Sequence, residues 1–461
     1  MIPASPSKAS QTCWSAMLQL IHRLHFYAGL FIGPFILTAA LSGTLYVMSP
    51  QIEKILYADL FTAVKDGTPQ PLSSQVQAAL NFMPESTIAA VRPSPAPGTT
   101  TRVMFASPEL GPSETIAVFI DPVNLSIRGS ETVYGTSGTL PFRTKIDYFH
   151  TNLLLGNIGR HYSEIAASWL WIVSLGGVAI WATAAFRNKG NSGSKLKRVH
   201  KFTGLLFITI FMFLSATGLT WSRWAGDNIN TLRETFSWVT PPLKTSLTGI
   251  TKPYIEDEHA EHRKQAASAL SNNDKPEVYP ALFYWIDETA RKAGIDAALR
   301  EIRPPKTADR AWVVAEIDRK WPTQVDSAAI DGTTFNVIDK VSFSDYGLIA
   351  KLTRWGIDAH MGILFGFTNQ LIMAAAGLGL CVMTISGYVI WWRKRPCHWR
   401  AISPAQTLNY TFIHMPVAGK AIVVMIATVL GLSLPLLGVT LLIFIAIDQV
   451  RWRRAFHNRR D

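Results

Sequence analysis

Long apolar runs and two long polar regions divide the chain. A helix needs about 20 residues to cross a ~30 Å hydrocarbon core. The pattern predicts four single spans and a C-terminal helical hairpin, at 25–48, 164–186, 203–224, 368–392, 417–433 and 434–449. No small-residue cleavage site follows the first run, so it is interpreted as a retained span. These features predict a mainly α-helical polytopic membrane protein.

The polar regions 49–147 and 225–355 each combine a helix-like part with strand-like alternation, for example at 115–121 and 311–318. This pattern predicts one small α+β domain in each region. The predicted organisation is 1–48 (N-terminus and first span), 49–147 (first polar domain), 148–224 (second span, basic loop, third span), 225–355 (second polar domain), 356–395 (fourth span) and 396–461 (loop, hairpin and tail).

Charge determines the predicted orientation. Only 16% of residues are charged, and the net charge is +12. Basic residues cluster between the second and third spans, after the fourth span and at the C-terminus, at Arg187, Lys189, Lys195, Lys197, Arg198, Lys201, Arg393, Lys394, Arg395, Arg400, Arg451, Arg453, Arg454, Arg459 and Arg460. Basic residues favour the cytoplasmic side. Both termini are therefore predicted to be cytoplasmic and both polar domains external, and the positive charge does not indicate nucleic-acid binding.

An internal repeat is the strongest signal in the sequence. A shift of 175 residues places His25 on His200, and the same shift aligns the Ser-Gly and Thr-Gly pairs that close the two spans. A shift of 210 residues places His150 on His360 and also aligns Gly177 with Gly387. The chain thus contains two copies of a unit made of a span, an external domain and a second span.

The repeat singles out four histidines near the ends of the spans: His25 and His200 on the cytoplasmic side, His150 and His360 on the external side. Ionisable residues at membrane depth are costly and mark function, and neutral imidazole ligates iron. Two pairs are suited to two noncovalent bis-His haems in a four-helix core. Interfacial hydrogen bonding and a bound Zn²⁺ or Cu⁺ are the alternatives. His22 and His161 have no repeat partners and are weaker candidate ligands.

The repeat motifs resemble the PepSY-associated transmembrane family over roughly residues 20–395. The resemblance is carried by His25/Gly29/Gly43, His200/Gly204/Thr217/Gly218, His150/Leu153/Leu154/Gly156, Ser386/Gly387/Trp391/Trp392 and Phe119-Ile120-Asp121-Pro122-Val123-Asn124. It implies that the two external domains are PepSY-like and periplasmic.

The family includes b-haem reductases of ferric siderophores in the bacterial inner membrane. The resemblance therefore implies two haem b groups and a periplasmic ferric siderophore as substrate. Candidate substrate contacts at the external mouth are Arg143, Tyr148, Arg354 and Trp355. The electron donor is expected to be reduced flavin, quinol or a partner reductase, because no nucleotide-binding unit is found in the cytoplasmic segments.

Two other functions are compatible with the sequence. Internal repeats also occur in transporters, so a siderophore or small-molecule permease is one alternative. A non-enzymatic regulator of periplasmic proteases is the other, although it leaves the repeated histidines unexplained. The acidic run from Glu256 to His262 is a further candidate metal site, with a solvated acidic loop or helix face as the simpler interpretation.

Overall fold

The structure is a computed structural model that describes residues 13–186, 194–248, 278–395 and 407–457. The run from Glu256 to His262 lies outside these residues. Two compact units are distinguished: a helical unit (Met1–Thr44, Tyr148–Leu232, Ile372–Asp461) and a sheet unit (Leu45–Asp147, Arg233–Leu371).

Fourteen α-helices occur in the described part of the chain. They are α1 (Cys13–Phe31), α2 (Gly33–Leu56), α3 (Ala58–Phe61), α4 (Leu72–Phe82), α5 (Pro141–Asn152), α6 (Gly156–Phe186), α7 (Lys195–Thr220), α8 (Trp224–Thr235), α9 (Pro280–Lys292), α10 (Leu348–His360), α11 (Gly366–Lys394), α12 (Leu408–Ile413), α13 (Val417–Ser433) and α14 (Pro435–His457). Each polar region contributes its own short helices, as the sequence predicts.

Within the described residues, five helices are long and apolar enough to cross a membrane: α2, α6, α7, α11 and, over Pro435–Arg453, α14. The apolar helix α13 is shorter, with 17 residues. The prediction of a multi-pass membrane protein is confirmed. The first predicted span, 25–48, is divided between α1 and α2.

The junction between α1 and α2 is explained by Pro34. Proline has no backbone N–H, so the helical bond to the carbonyl of Leu30 is lost. The chain still continues helically, because Ile32 N donates to Ala28 O at 2.8 Å. The hydroxyl of Tyr388 on α11 donates to the orphaned Leu30 carbonyl at 2.6 Å. A backbone group at membrane depth is thus satisfied by a neighbouring helix.

The strand-like runs of both polar regions form one antiparallel sheet. Its strands are β1 (Thr87–Arg92), β2 (Thr101–Ala106), β3 (Glu114–Ile120), β4 (Ile127–Tyr134), β5 (Arg300–Arg303), β6 (Trp312–Glu316), β7 (Ser327–Ile330) and β8 (Val337–Val341). The strand order is β4-β3-β2-β1-β5-β6-β7-β8. Two four-stranded halves, expected as separate domains, are joined where Val91 pairs with Ile302.

The two halves repeat each other in detail. A register irregularity falls between Phe119 and Ile120 in the first half and between Ala329 and Ile330 in the second, 210 residues later. The aspartate after each irregularity closes a turn through its carboxylate, which accepts backbone N–H groups two residues on. Aspartate favours such turns because its side chain bonds its own backbone. The internal repeat therefore extends through the sheet.

The joined sheet has a common core on one face. There α4 and α9 pack together over buried strand residues, and Phe283 meets Trp312 edge-on at 4.9 Å. An ion pair of 2.6 Å between Arg92 and Glu301 crosses from β1 to β5. Burial alone would raise the pKa of Glu301, but Arg303 and Arg92 outweigh it and lower that pKa to about 2. The junction is therefore held by apolar packing and by a charged carboxylate.

Candidate functional site

His25 lies on α1 and faces α6. Its Nδ1 bonds the backbone carbonyl of Val173 at 2.9 Å. A Cβ on Gly177 would stand 3.2 Å from the ring carbon Cε1 of His25. The imidazole thus packs on a helix at a position where the side chain is only a hydrogen. Because a carbonyl can only accept, Nδ1 carries the proton and Nε2 keeps its lone pair.

His200 on α7 has the same arrangement against α11. Its Nδ1 bonds Met383 O at 2.9 Å and lies 3.1 Å from Ser386 Oγ. A Cβ on Gly387 would stand 3.5 Å from the ring carbon Cε1 of His200. Met383 and Gly387 lie 210 residues after Val173 and Gly177. The two histidines therefore have repeat-equivalent surroundings.

His150 lies near the C-terminal end of α5. Its Nδ1 is 3.0 Å from Ser42 Oγ on α2. The Ser42 hydroxyl donates to Thr38 O at 2.7 Å, so its lone pairs accept from Nδ1–H of the histidine. A Cβ on Gly43 would stand 3.1 Å from the ring carbon Cε1 of His150. Once more Nε2 is the nitrogen left with a lone pair.

A tight connection from α5 to α6 fixes the end of α5. Leu153 and Leu154 have positive φ values of 55° and 60°, a conformation that costs energy in residues with a Cβ. Gly159 packs so closely that a Cβ there would lie 1.6 Å from Asn152 O. The hydroxyl of Tyr162 donates to the His150 carbonyl. The glycine and the tyrosine together hold the turn that follows the histidine.

His360 is the last residue of α10. Two residues earlier, the fully buried Asp358 pairs with Arg319 at 2.5 Å and with Arg354 at 3.2 Å. The Asn369 side chain donates to Ala359 O at 2.9 Å. The end of α10 is thus tied to the rest of the sheet unit. His150 falls in the helical unit and His360 in the sheet unit, so their pairing stays a prediction.

The weaker candidate ligands have different surroundings. His22 is exposed, one turn before His25. Nδ1 of His161 bonds Ile158 O of its own helix at 2.8 Å. Neither ring packs on a repeated glycine in the described structure. The repeat therefore remains the better guide to the ligands.

The four candidate substrate contacts lie in varied settings. Arg143 is buried over the Tyr46 ring, 4.6 Å from its centroid, and Nε and Nη2 meet no hydrogen-bond partner within the described chain. Tyr148 is half-buried. Arg354 contacts Asp358, and Trp355 Nε1 donates to Thr323 Oγ1 at 3.1 Å. Their role in substrate binding stays a prediction.

Aromatic rings surround Trp355 in the sheet unit. The exposed Trp321 lies 5.4 Å from Trp355, and Phe343 lies 5.7 Å from it. Arg319, which sequence reasoning did not single out, connects this region to Ser137 through a 3.0 Å hydrogen bond. An isolated arginine in a polar loop gives no local sequence signal of such a role.

The family model of the PepSY-associated TM region matches residues 22–394. The chain belongs to this family. The match contains all four repeated histidines and ends at the last residue of α11, before α12–α14. No curated protein matches the sequence.

The chemistry of the repeated histidines in this PepSY-associated TM protein fits haem. Three of the four present Nε2 as a lone-pair donor while Nδ1 is engaged, as metal-ligating histidines do. A Cβ on Gly29, one turn after His25, would meet nothing within 4 Å, so there is open space beside that helix. The chain's residues therefore suit a flat ligand held through imidazole nitrogen.

Proposed function

We propose that this protein is an inner-membrane di-haem b reductase that delivers electrons to a periplasmic ferric siderophore. The observation that carries the proposal is the shared hydrogen-bonding of His25, His200 and His150. Each ring is held through Nδ1 and leaves Nε2 for iron. The alternative, interfacial hydrogen bonding by the histidines, does not require the same ring nitrogen to be engaged in all three residues.

His25 and His200 would hold one haem b, and His150 and His360 the other. When bound, each haem supplies reversible one-electron transfer. The carbonyls of Val173 and Met383 and the Ser42 hydroxyl orient the rings and increase the basicity of Nε2. With two imidazoles for each iron, the proposed haems would supply electron transfer rather than oxygen binding.

The proposed substrate chemistry is the one-electron reduction of Fe³⁺ to Fe²⁺ in the siderophore. Fe²⁺ is a softer ion and is held less tightly by hard oxygen chelators, so reduction releases it for uptake. Arg143, Tyr148, Arg354 and Trp355 are the proposed substrate contacts. The electron is proposed to come from reduced flavin, quinol or a reductase on the cytoplasmic side, which the distribution of basic residues favours for both termini.

A haem assay tests the proposal directly. Protein purified from haem-replete cells should show b-type bands in dithionite-reduced minus oxidised spectra, with about two haems per chain. Addition of a ferric hydroxamate siderophore to the reduced protein should reoxidise the haem. One Fe²⁺ should form for each electron that the haem loses, and a ferrous-specific chelator should trap it. A folded but colourless protein would contradict the proposal.

A further inference from the structure

The C-terminal helices lie outside the region matched by the family, yet they pack closely on the helical unit. Trp169 Nε1 on α6 donates to Thr440 Oγ1 on α14 at 2.8 Å, and its ring lies 5.1 Å from that of Phe444. The α13–α14 hairpin closes tightly, because a Cβ on Gly438 would lie 2.9 Å from the Cα of Gly431. The hairpin is thus a close-packed part of this unit.

A buried carboxylate anchors the C-terminal half of α14. Asp448 is 0% exposed. Its Oδ1 accepts from the Tyr27 hydroxyl at 2.6 Å, and its Oδ2 accepts from Asn409 N at 2.8 Å. Arg451 donates to the same Tyr27 oxygen and lies over the tyrosine ring. A carboxylate at this depth is costly and is a feature of function or of a specific contact.

The contact of Asp448 reaches the helix that carries His25. Tyr27 is two residues after His25, and two residues correspond to about 200° of rotation in an α-helix. His25 and Tyr27 therefore leave α1 on nearly opposite sides. The histidine bonds Val173 O on α6, while the tyrosine bonds Asp448 on α14. These two hydrogen bonds hold the rotation of α1 from both sides.

We propose that Asp448 is a positioning residue for His25, acting through the Tyr27 hydroxyl. This inference rests on the proposed haem at His25. Cofactor sites need ligands within about 0.5 Å and 10–20° of their working geometry. Fixing the rotation of α1 sets the plane and direction of the His25 ring. The C-terminal hairpin thereby becomes part of one haem site without contributing a ligand.

The test uses full-length Asp448→Asn, Tyr27→Phe and the double variant. Thr440→Val is the matched control, because it removes a hydrogen bond of the same hairpin that does not reach α1. The readouts are the low-spin ferric EPR signals and midpoint potentials of the two haems, and amide exchange in peptides from α1. The haem lost in His25→Ala identifies the signal to follow.

Both single variants should shift the EPR signal and midpoint of that haem and speed exchange in α1, with the other haem unchanged. The double variant should shift no further than the larger single one, because both changes break one connection. Equal shifts in both haems, or the same shift in Thr440→Val, would overturn the inference. Unshifted variants of a two-haem wild type would overturn it alone. A wild type without haem would overturn the proposed function as well.

Discussion

The proposed His25/His200 pair and the proposed His150/His360 pair differ in how closely the two repeats match around them. Val173 and Gly177 at His25 recur as Met383 and Gly387 at His200. Around the second pair the correspondence is partial: Gly156 and Gly366, 210 residues apart, share positive φ values of 59° and 57°, but another position differs. The repeat shift of 210 residues places the half-buried Tyr148 opposite the buried Asp358, which holds two arginines.

This difference separates surroundings that recur in both repeats from surroundings that do not. In the proposed reductase, histidine surroundings that serve only a haem would have the same task in both copies. Surroundings that would also contact the proposed substrate, or that belong to a specialised domain, would be under no such constraint. We therefore expect the His25/His200 pair to have the more symmetric ligand field.

The largest expected effect comes from removing the histidines. His25→Ala and His200→Ala should each abolish the same haem, and His150→Ala and His360→Ala should each abolish the other, because one imidazole rarely retains a bis-His haem. Pyridine haemochrome content should fall from about two to about one per chain in each variant, and the remaining midpoint shows which haem is left.

His22→Ala and His161→Ala are the matched controls and should retain both haems. Loss of a haem in His22→Ala with retention in His25→Ala would assign the ligand to His22, one turn earlier. The comparison between the two proposed histidine pairs would then be wrong. Two variants of one pair that each lost a different haem would show that the pairing is wrong.

The features that could be predicted from the sequence are those that recur at a fixed spacing along the chain. The internal repeat identified the four histidines and aligned Gly177 with Gly387, because these residues recur at the repeat shifts. The joined sheet had no local signal, since Val91 and Ile302 pair across 211 positions that include a membrane-spanning region. The Tyr27–Asp448 bond spans 421 positions. Such contacts depend on tertiary packing, which residue pattern does not encode locally.

The second expected effect concerns the part of the comparison where the repeats differ. Asp358→Asn removes the carboxylate that pairs with both Arg319 and Arg354, and breaking a buried ion pair costs about 3–5 kcal/mol. Unfolding followed by tryptophan fluorescence should show this loss of unfolding free energy, and amide exchange should rise in α10.

Tyr148→Phe, at the repeat-equivalent position, removes one hydroxyl from a half-buried ring and should cost about 1 kcal/mol or less. The same variants sharpen the haem assignment, because only Asp358→Asn should disturb the haem that requires His360. Equal losses of unfolding free energy in the two variants would mean that the difference between the repeats at this position does not affect stability.

The smallest effect lies within the matched pair. Alanine at Gly177 would place its Cβ 3.2 Å from the ring carbon Cε1 of His25, whereas alanine at Gly387 would have 3.5 Å to Cε1 of His200. The first is tighter than ordinary contact, so the His25 ring must move by a few tenths of an ångström. The second is an ordinary van der Waals separation.

Both substitutions also gain up to about 1 kcal/mol of helix propensity. Gly387→Ala should therefore keep its haem spectrum and become slightly more stable. Gly177→Ala should shift the EPR signal of the same haem and gain less stability, because displacement of the ring offsets the propensity. Gly347→Ala, where a Cβ meets nothing within 4 Å, is the control for handling and expression. Equal spectral shifts from Gly177→Ala and Gly387→Ala would show that the two imidazole rings pack equally tightly on their glycines. The expected difference in packing between His25 and His200 would then be wrong.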